Sequence, residues 1–141
     1  MSRRSRKRES GQAYVEFIIV LPLLLLLIAG SMGFGQMLYV RLAMEAAAWS
    51  GCRHAVATLN EGRGINQAYA GVRHAVSGFG LAPDDAVAFI TRWGEWGRNT
   101  QVRVRVCYEV PPPPVPLGET FAPTSVCAVQ IMPVNKWQSR W

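Results

Sequence analysis

The sequence predicts an α+β protein in which a long N-terminal transmembrane helix continues into an amphipathic helix. A second helix and a small antiparallel β-sheet of about three strands are expected to follow. Three features of the 141 residues support this fold class: an uncharged apolar run near the N-terminus, a helical period that extends beyond it, and a period of two in the C-terminal third. The chain length leaves room for one compact domain and no more.

The predicted transmembrane helix spans residues 12–40. Residues 17–40 contain no charged side chain, and a helix that crosses a bilayer needs about 20 predominantly apolar residues. The whole chain is only 17% charged, against roughly 25% in an average soluble domain. A freely soluble enzyme is therefore not expected. Pro22 lies inside the run, where membrane helices tolerate proline if neighbouring groups compensate for the lost hydrogen bond.

A short basic leader, residues 1–11, precedes this helix. It holds five of the chain's 15 lysines and arginines against a single acidic residue, Glu9. Basic residues beside a membrane helix stay on the cytoplasmic side, whereas nucleic-acid binding requires a basic patch on the folded part of the chain. We therefore expect a single pass through the cytoplasmic (inner) membrane, with the N-terminus in the cytoplasm and an α+β domain of residues 41–141 outside. Membrane lipid is an expected partner, and nucleic acid is not.

The predicted outer domain begins with the continuation of the first helix. Apolar residues recur every three or four positions up to Leu59, and Asn60 and Gly62 are the first stop signals. Gly62 and Gly64 predict a turn, and a second amphipathic helix is expected over residues 65–79. The predicted apolar stripe of the first helix comprises Leu42, Ala46, Trp49, Cys52, Val56 and Leu59.

Three segments of the C-terminal third are predicted to be strands: Ala86–Trp93, residues 102–110 and residues 125–132. In the second segment, valines and Tyr108 alternate with polar residues, which predicts one dry and one wet face. The prolines at 111–114 cannot join a central strand, so an extended loop is expected there.

The three cysteines, Cys52, Cys107 and Cys127, are too few and too far apart for a zinc site. Outside the cytoplasm, an oxidising environment allows one disulfide and one remaining thiol. Cys107 and Cys127 lie on predicted strands that would be neighbours across the proline loop, while Cys52 lies on the helical stripe. The pair Cys107 and Cys127 is therefore the candidate disulfide.

Catalytic motifs, metal-ligand spacings and cofactor motifs do not occur in the sequence, so an enzyme is not expected. His54 and His74 have no carboxylate or cysteine at metal-ligand spacing. Asp84 and Asp85 fit a turn or a helix cap. No catalytic residue, metal or cofactor is predicted.

The segment between Gly11 and Glu16 carries the strongest functional indication. A lone carboxylate at the edge of hydrocarbon is costly unless it is paired. If a peptidase removes the leader after Gly11, the new chain begins at Gln12 with a free ammonium. Glu16 of one subunit can then pair with this ammonium on a neighbouring subunit of a filament.

Two alternatives compete with this hypothesis of a processed pilin. One is a plain N-terminal anchor, with Glu16 reaching the membrane interface. The other is a secretory signal peptide cut near residues 29–31, although the apolar run is long for such a peptide and the helical pattern continues past the cut.

The sequence resembles the TadE-like proteins, which are pilin-like (pseudopilin) components of tight-adherence (Tad) type IV pilus systems. The likeness covers residues 8–57. It is carried by GQAYVEF at residues 11–17, LPLLLL at residues 21–26, GFG at residues 33–35 and the alanine-rich helix that ends in GCR at residue 53.

The resemblance implies cleavage after Gly11 by a prepilin peptidase, with Gln12 as the new first residue and Glu16 aiding recognition or assembly. It also implies a minor pilin or assembly factor that helps to build Tad-type pili for surface attachment, in the inner membrane or in an extracellular pilus. Other pilins and pilus assembly proteins are then partners, and Glu16, Phe17 and Pro22 are the residues assigned to assembly.

A monomeric, membrane-anchored extracytoplasmic binding module is the alternative function, with Trp93 and Trp96 forming the contact surface. Crosslinking distinguishes the two functions. An assembly protein is expected to crosslink to other pilins along residues 17–45, whereas an anchored receptor need not.

Overall fold

A computed structural model of the protein describes residues 6–111 and 123–134, with side chains from residue 13 onwards. The elements in chain order are α1 (Arg6–Ala55), α2 (Glu61–Gly78), β1 (Ala86–Trp93), β2 (Gln101–Val110) and β3 (Thr124–Pro133). The predicted α+β class, the long N-terminal helix, the second helix and the three-stranded antiparallel sheet are confirmed. The leader before residue 6 and most of the proline loop lie outside the described residues.

The chain divides into two compact units, Met1–Gln36 and Met37–Trp141. Within the first unit, the described part consists of helix α1, which passes Pro22 without ending. The described side chains of residues 13–28 are all exposed. In the described part of the chain, one helix, Ala13–Ala55, is long and apolar enough to cross a membrane. Such a surface is unfavourable in water, and lipid or other apolar helices can cover it.

The second unit contains the last turns of α1, and there the buried stripe differs from the predicted one. Leu42 and Trp49, which were expected to be buried, are 60% and 47% exposed. The physical reason is position around the helix, since the buried residues recur every three or four positions from Val40 to Ala55, and Leu42 and Trp49 lie on the opposite side of α1. Cys52 is buried as predicted. The buried residues of this part of α1 are Val40, Ala43, Met44, Ala47, Ala48, Gly51, Cys52 and Ala55.

The boundary between the two helices also differs from the prediction. Helix α1 ends at Ala55 rather than near Leu59, and Asn60 is the N-cap of α2. The Asn60 Oδ1 atom accepts a hydrogen bond from the Arg63 backbone N–H at 3.0 Å. Asparagine satisfies an otherwise unpaired N–H at the start of a helix, so the residue taken as a stop signal instead begins the next helix. Gly62 and Gly64 consequently lie inside α2 and not in a turn.

Helix α2 crosses α1 at a close approach made by glycines. A Cβ atom added at Gly51 would lie 2.7 Å from Cγ2 of Val72, and one added at Gly71 would lie 2.5 Å from Cδ2 of His54. The Ser50 hydroxyl donates a hydrogen bond to the Gly71 carbonyl at 3.2 Å. The backbones of the two helices are therefore so close at the crossing that there is no room for a Cβ atom at Gly51 or Gly71.

The strands form one antiparallel sheet in the order β1-β2-β3, so β2 is central. Its residues alternate as predicted: Val102, Val104 and Val106 are fully buried against the helices, and the residues between them lie on the opposite, outer face. The Cys52 thiol donates to the Gln130 carbonyl of β3 at 3.2 Å, which places α1 over the inner face. The core is this layer between the two helices and the sheet.

Candidate functional site

The first set of candidate residues lies on the N-terminal part of α1. Gly11 and Gln12 are in its helical backbone, with the Gln12 side chain outside the described residues. Glu16 and Phe17 are exposed, Phe17 by 60%, and Pro22 follows within the same helix. Glu16 is the only charged residue between positions 13 and 40. Cleavage after Gly11 and pairing of Glu16 stay predictions.

The four glycines of α1 that follow Gly11 fall into two groups. A Cβ added at Gly30, Gly33 or Gly35 would meet nothing within 4 Å, whereas one added at Gly51 would collide with Val72. The packing of the single chain thus explains Gly51, but it leaves the other three glycines without an intramolecular role among the described residues. Small residues on membrane helices allow another helix to approach closely.

The structure joins the two cysteines selected as the candidate disulfide. Cys107 on β2 and Cys127 on β3 are directly opposite in the register, with Cα atoms 4.1 Å apart, and form a disulfide bond. The bond lies on the outer face of the sheet, where the Cys127 side is exposed. Cys52 is a free, buried cysteine. Its thiol is packed between α1 and the sheet, so it serves the core.

The two tryptophans considered as a contact surface have different environments. Trp96 is half-buried: its indole N–H donates to the Thr58 carbonyl at 3.1 Å, and its ring lies against Gly64. Trp93 is 51% exposed on the outer face of the sheet, with the Arg103 guanidinium 4.2 Å from its ring centroid. Trp96 therefore holds the β1–β2 connection to the helices, and only Trp93 is available for an outside contact.

An open cavity of about 540 Å³ adjoins Trp96 and is also lined by Leu59, Gly97 and Arg98. The described residues of its walls include no nucleophile, base or pair of carboxylates. Among the residues that the structure describes, no group of three His, Cys, Asp or Glu side chains is placed to hold a metal ion.

The apolar character of the sheet's outer face does not follow from the alternation in β2, which predicts a wet face because Arg103 and Arg105 lie on it. The structure places apolar residues of both neighbouring strands beside these arginines. A signal was available, since β1 is apolar at nearly every position and has side chains for both faces. The exposed apolar residues of this face are Val87, Phe89, Trp93, Val129 and Ile131.

These features define a class of protein: a long apolar N-terminal helix able to anchor in a membrane, linked to a small α+β unit. The family model of the TadE-like proteins matches residues 11–53, which confirms the resemblance seen in the sequence. The match begins at Gly11 and ends two residues before the end of α1, so the sheet lies outside it. Neither a curated protein nor a solved structure matches the chain.

Proposed function

We propose that this protein is a TadE-like minor pilin or pseudopilin that takes part in assembling Tad-type pili for surface attachment. The observation that carries the proposal is that the family match over residues 11–53 falls on helix α1, whose N-terminal part is apolar and exposed over residues 13–28. In this function, residues 12–40 cross the cytoplasmic membrane, the N-terminus is cytoplasmic and residues 41–141 are outside. The partners are membrane lipid, a prepilin peptidase, other pilins and pilus assembly proteins.

The surface of α1 supports assembly through helix packing. Its described side chains from residue 13 to residue 28 are exposed on every side of the helix, so they can contact lipid and neighbouring helices alike. The open space around Gly30, Gly33 and Gly35 leaves room for a second helix at short distance. Helices that pack in this way gain dispersion energy and need no charged partner in the hydrocarbon.

Processing after Gly11 creates a new positive charge that can pair with Glu16 of a neighbouring subunit. Glycine is less favourable than alanine in a helix interior by about 1 kcal/mol, so α1 unwinds at low cost at the site where a peptidase must reach the backbone. Cleavage creates an ammonium at Gln12. An intersubunit pair between this ammonium and the Glu16 carboxylate fixes the axial offset of neighbouring helices. Phe17 and Pro22 follow Glu16 on the same helix and are assigned to the same contact.

The direct test of processing is the mass of the mature chain purified from its own cell. We expect the N-terminus to be Gln12, and we expect Gly11→Leu to leave the leader attached. Gly30→Leu is the matched control, since it introduces the same side chain farther along the helix and leaves the cleavage site intact. A Gly11→Leu chain with the mature mass would exclude cleavage at this position.

Crosslinking tests assembly against the alternative of a monomeric anchored binding module, which the half-exposed Trp93 favours. Single cysteines at Leu24 and Leu38 of α1 are expected to form adducts with other pilins. If both positions yield only uncrosslinked monomer, while Trp93→Ala abolishes surface attachment, the binding module is the correct function.

A further inference from the structure

We propose that the outer face of the sheet is a docking surface for a protein partner that presents carboxylates among apolar side chains. This inference goes beyond the pilus role and does not depend on it. Its location is set by the strand register, which aligns residues of all three strands in rows on the outer face. The two central rows are Phe89–Arg105–Val129 and Thr91–Arg103–Ile131.

The apolar part of this face is large for a surface left in water. Val87, Phe89, Trp93, Val129 and Ile131 are each between 42% and 53% exposed, and they lie on both sides of the central strand. Contiguous apolar patches on soluble units usually mark an interaction site. The helices cannot cover these residues, because α1 and α2 pack on the inner face.

The charges at the centre of the face define the partner. Arg103 and Arg105 are two residues apart on β2, which separates their Cα atoms by about 7 Å. None of the ion pairs among the described residues involves either arginine. The acidic residue of this face is Glu109, about 13 Å along the strand from Arg105. The centre of the patch is therefore positive.

The Arg103 side chain adds a specific requirement. Its guanidinium is held over the Trp93 ring at 4.2 Å. Its Nε atom is shielded from water and has no hydrogen-bond acceptor among the described residues. A buried donor without an acceptor costs free energy, because its lost hydrogen bond to water is not replaced. A carboxylate is the acceptor that suits a guanidinium best, because it accepts two parallel N–H bonds.

These observations favour an acidic protein surface over the other occupants. A second copy docked face to face would bring Arg103 and Arg105 close to their own equivalents, which is repulsive. The described residues of the face include tryptophan, phenylalanine and arginine, which are enriched in protein interfaces. Carboxylates on alternate residues of a strand are also about 7 Å apart and match the spacing of the two arginines.

The test is site-specific photocrosslinking in the cell that produces the protein, with the full chain and a benzophenone amino acid as the probe. The probe replaces Phe89 on the outer face, and the control replaces Tyr69, an aromatic residue on α2 that is 43% exposed. We expect an adduct from position 89 and not from position 69. Its crosslinked peptide, identified by mass spectrometry, should contain Asp or Glu among apolar residues.

The contribution of the two arginines to binding is tested with the same benzophenone probe at position 89. Arg103→Gln with Arg105→Gln should lower the yield of the adduct roughly tenfold or more, because truncating a desolvated charge pair costs at least that factor. Two controls test whether the variant folds: formation of the Cys107–Cys127 disulfide, and an amount of protein in the cell equal to that of the unsubstituted chain. Reversing the charge of the partner's carboxylates together with the two arginines should restore the adduct. The absence of an adduct at position 89 would overturn the proposal, and so would an adduct with lipid, with a second copy or with a peptide that lacks acidic residues. An unchanged yield of the adduct in the arginine variant would also overturn it.

Discussion

Tyr39 on α1 and Phe79 at the end of α2 are joined by two interactions across 40 positions of sequence. The Tyr39 hydroxyl donates to the Phe79 carbonyl at 2.7 Å, and the two rings meet edge to face with centroids 5.9 Å apart. Phe79 is the C-cap of α2. This contact connects the last turns of α1 to the end of the second helix.

Removing the Tyr39 hydroxyl should therefore weaken the second unit. Tyr39→Phe keeps the ring contact but loses the hydrogen bond, so we expect a loss of about 1 kcal/mol in the free energy of unfolding. Thermal unfolding of the full chain in detergent, followed by circular dichroism of the sheet, measures the effect. Tyr69→Phe, on the exposed side of α2, is the control and should leave the midpoint unchanged. Equal midpoints for the two variants would show that the hydrogen bond contributes nothing.

The close crossing of α1 and α2 predicts an asymmetry between two glycines. Gly51→Ala places a Cβ 2.7 Å from Cγ2 of Val72 and 3.2 Å from Cγ1 of Val104. Overpacking of this kind costs about 1–3 kcal/mol. Gly62→Ala, in the first turn of α2, has its nearest neighbour, Asn60 Oδ1, at 3.7 Å and should stabilise the helix by up to about 1 kcal/mol. Denaturant unfolding of both variants decides the matter, and a stabilised Gly51→Ala chain would contradict the close helix crossing.

The disulfide predicts a measurable loss on removal. Cys107 and Cys127 are separated by 20 positions, and closing a loop of this size stabilises a fold by roughly 3 kcal/mol. Cys107→Ala with Cys127→Ala should lower the free energy of unfolding by about this amount. Peptide mapping without reductant checks the bond itself. Detection of Cys107 and Cys127 as free thiols in protein from an oxidising compartment would refute the pairing.

We expect substitution of Glu16 to impair assembly into pili and not insertion into the membrane. Glu16→Ala removes a charge at the edge of the apolar run, so membrane insertion should be unaffected or improved. Incorporation into pili should fall tenfold or more, because loss of one member of a buried ion pair costs about 3–5 kcal/mol. Glu45→Ala is the control, since Glu45 lies on the same helix and pairs with Arg41 on an exposed surface at 3.2 Å. Normal piliation by the Glu16→Ala chain would count against the intersubunit pair.

Local patterns were sufficient for the elements themselves. The β1 segment Ala86–Trp93 was predicted with its observed bounds, and β2 and β3 each extend one residue beyond the prediction at one or both ends. The alternation of valines in β2 also identified its buried face. Asn60 was misjudged because asparagine is common both at the end of a helix and at the start of the next one, and only the hydrogen bond to Arg63 distinguishes the two.

The long apolar helix, the α+β class and the motif around Gly11 and Glu16 follow from the sequence alone, because each depends on residues that are near one another in the chain. The tertiary structure decided which side of α1 is buried and what surrounds the arginines of β2. Leu42 is more hydrophobic than Ala43, yet Ala43 is buried, since the orientation of α1 about its axis turns Ala43 toward the core and Leu42 away from it. Phe89 and Val129 flank Arg105 through strand pairing, and no local pattern contains that proximity.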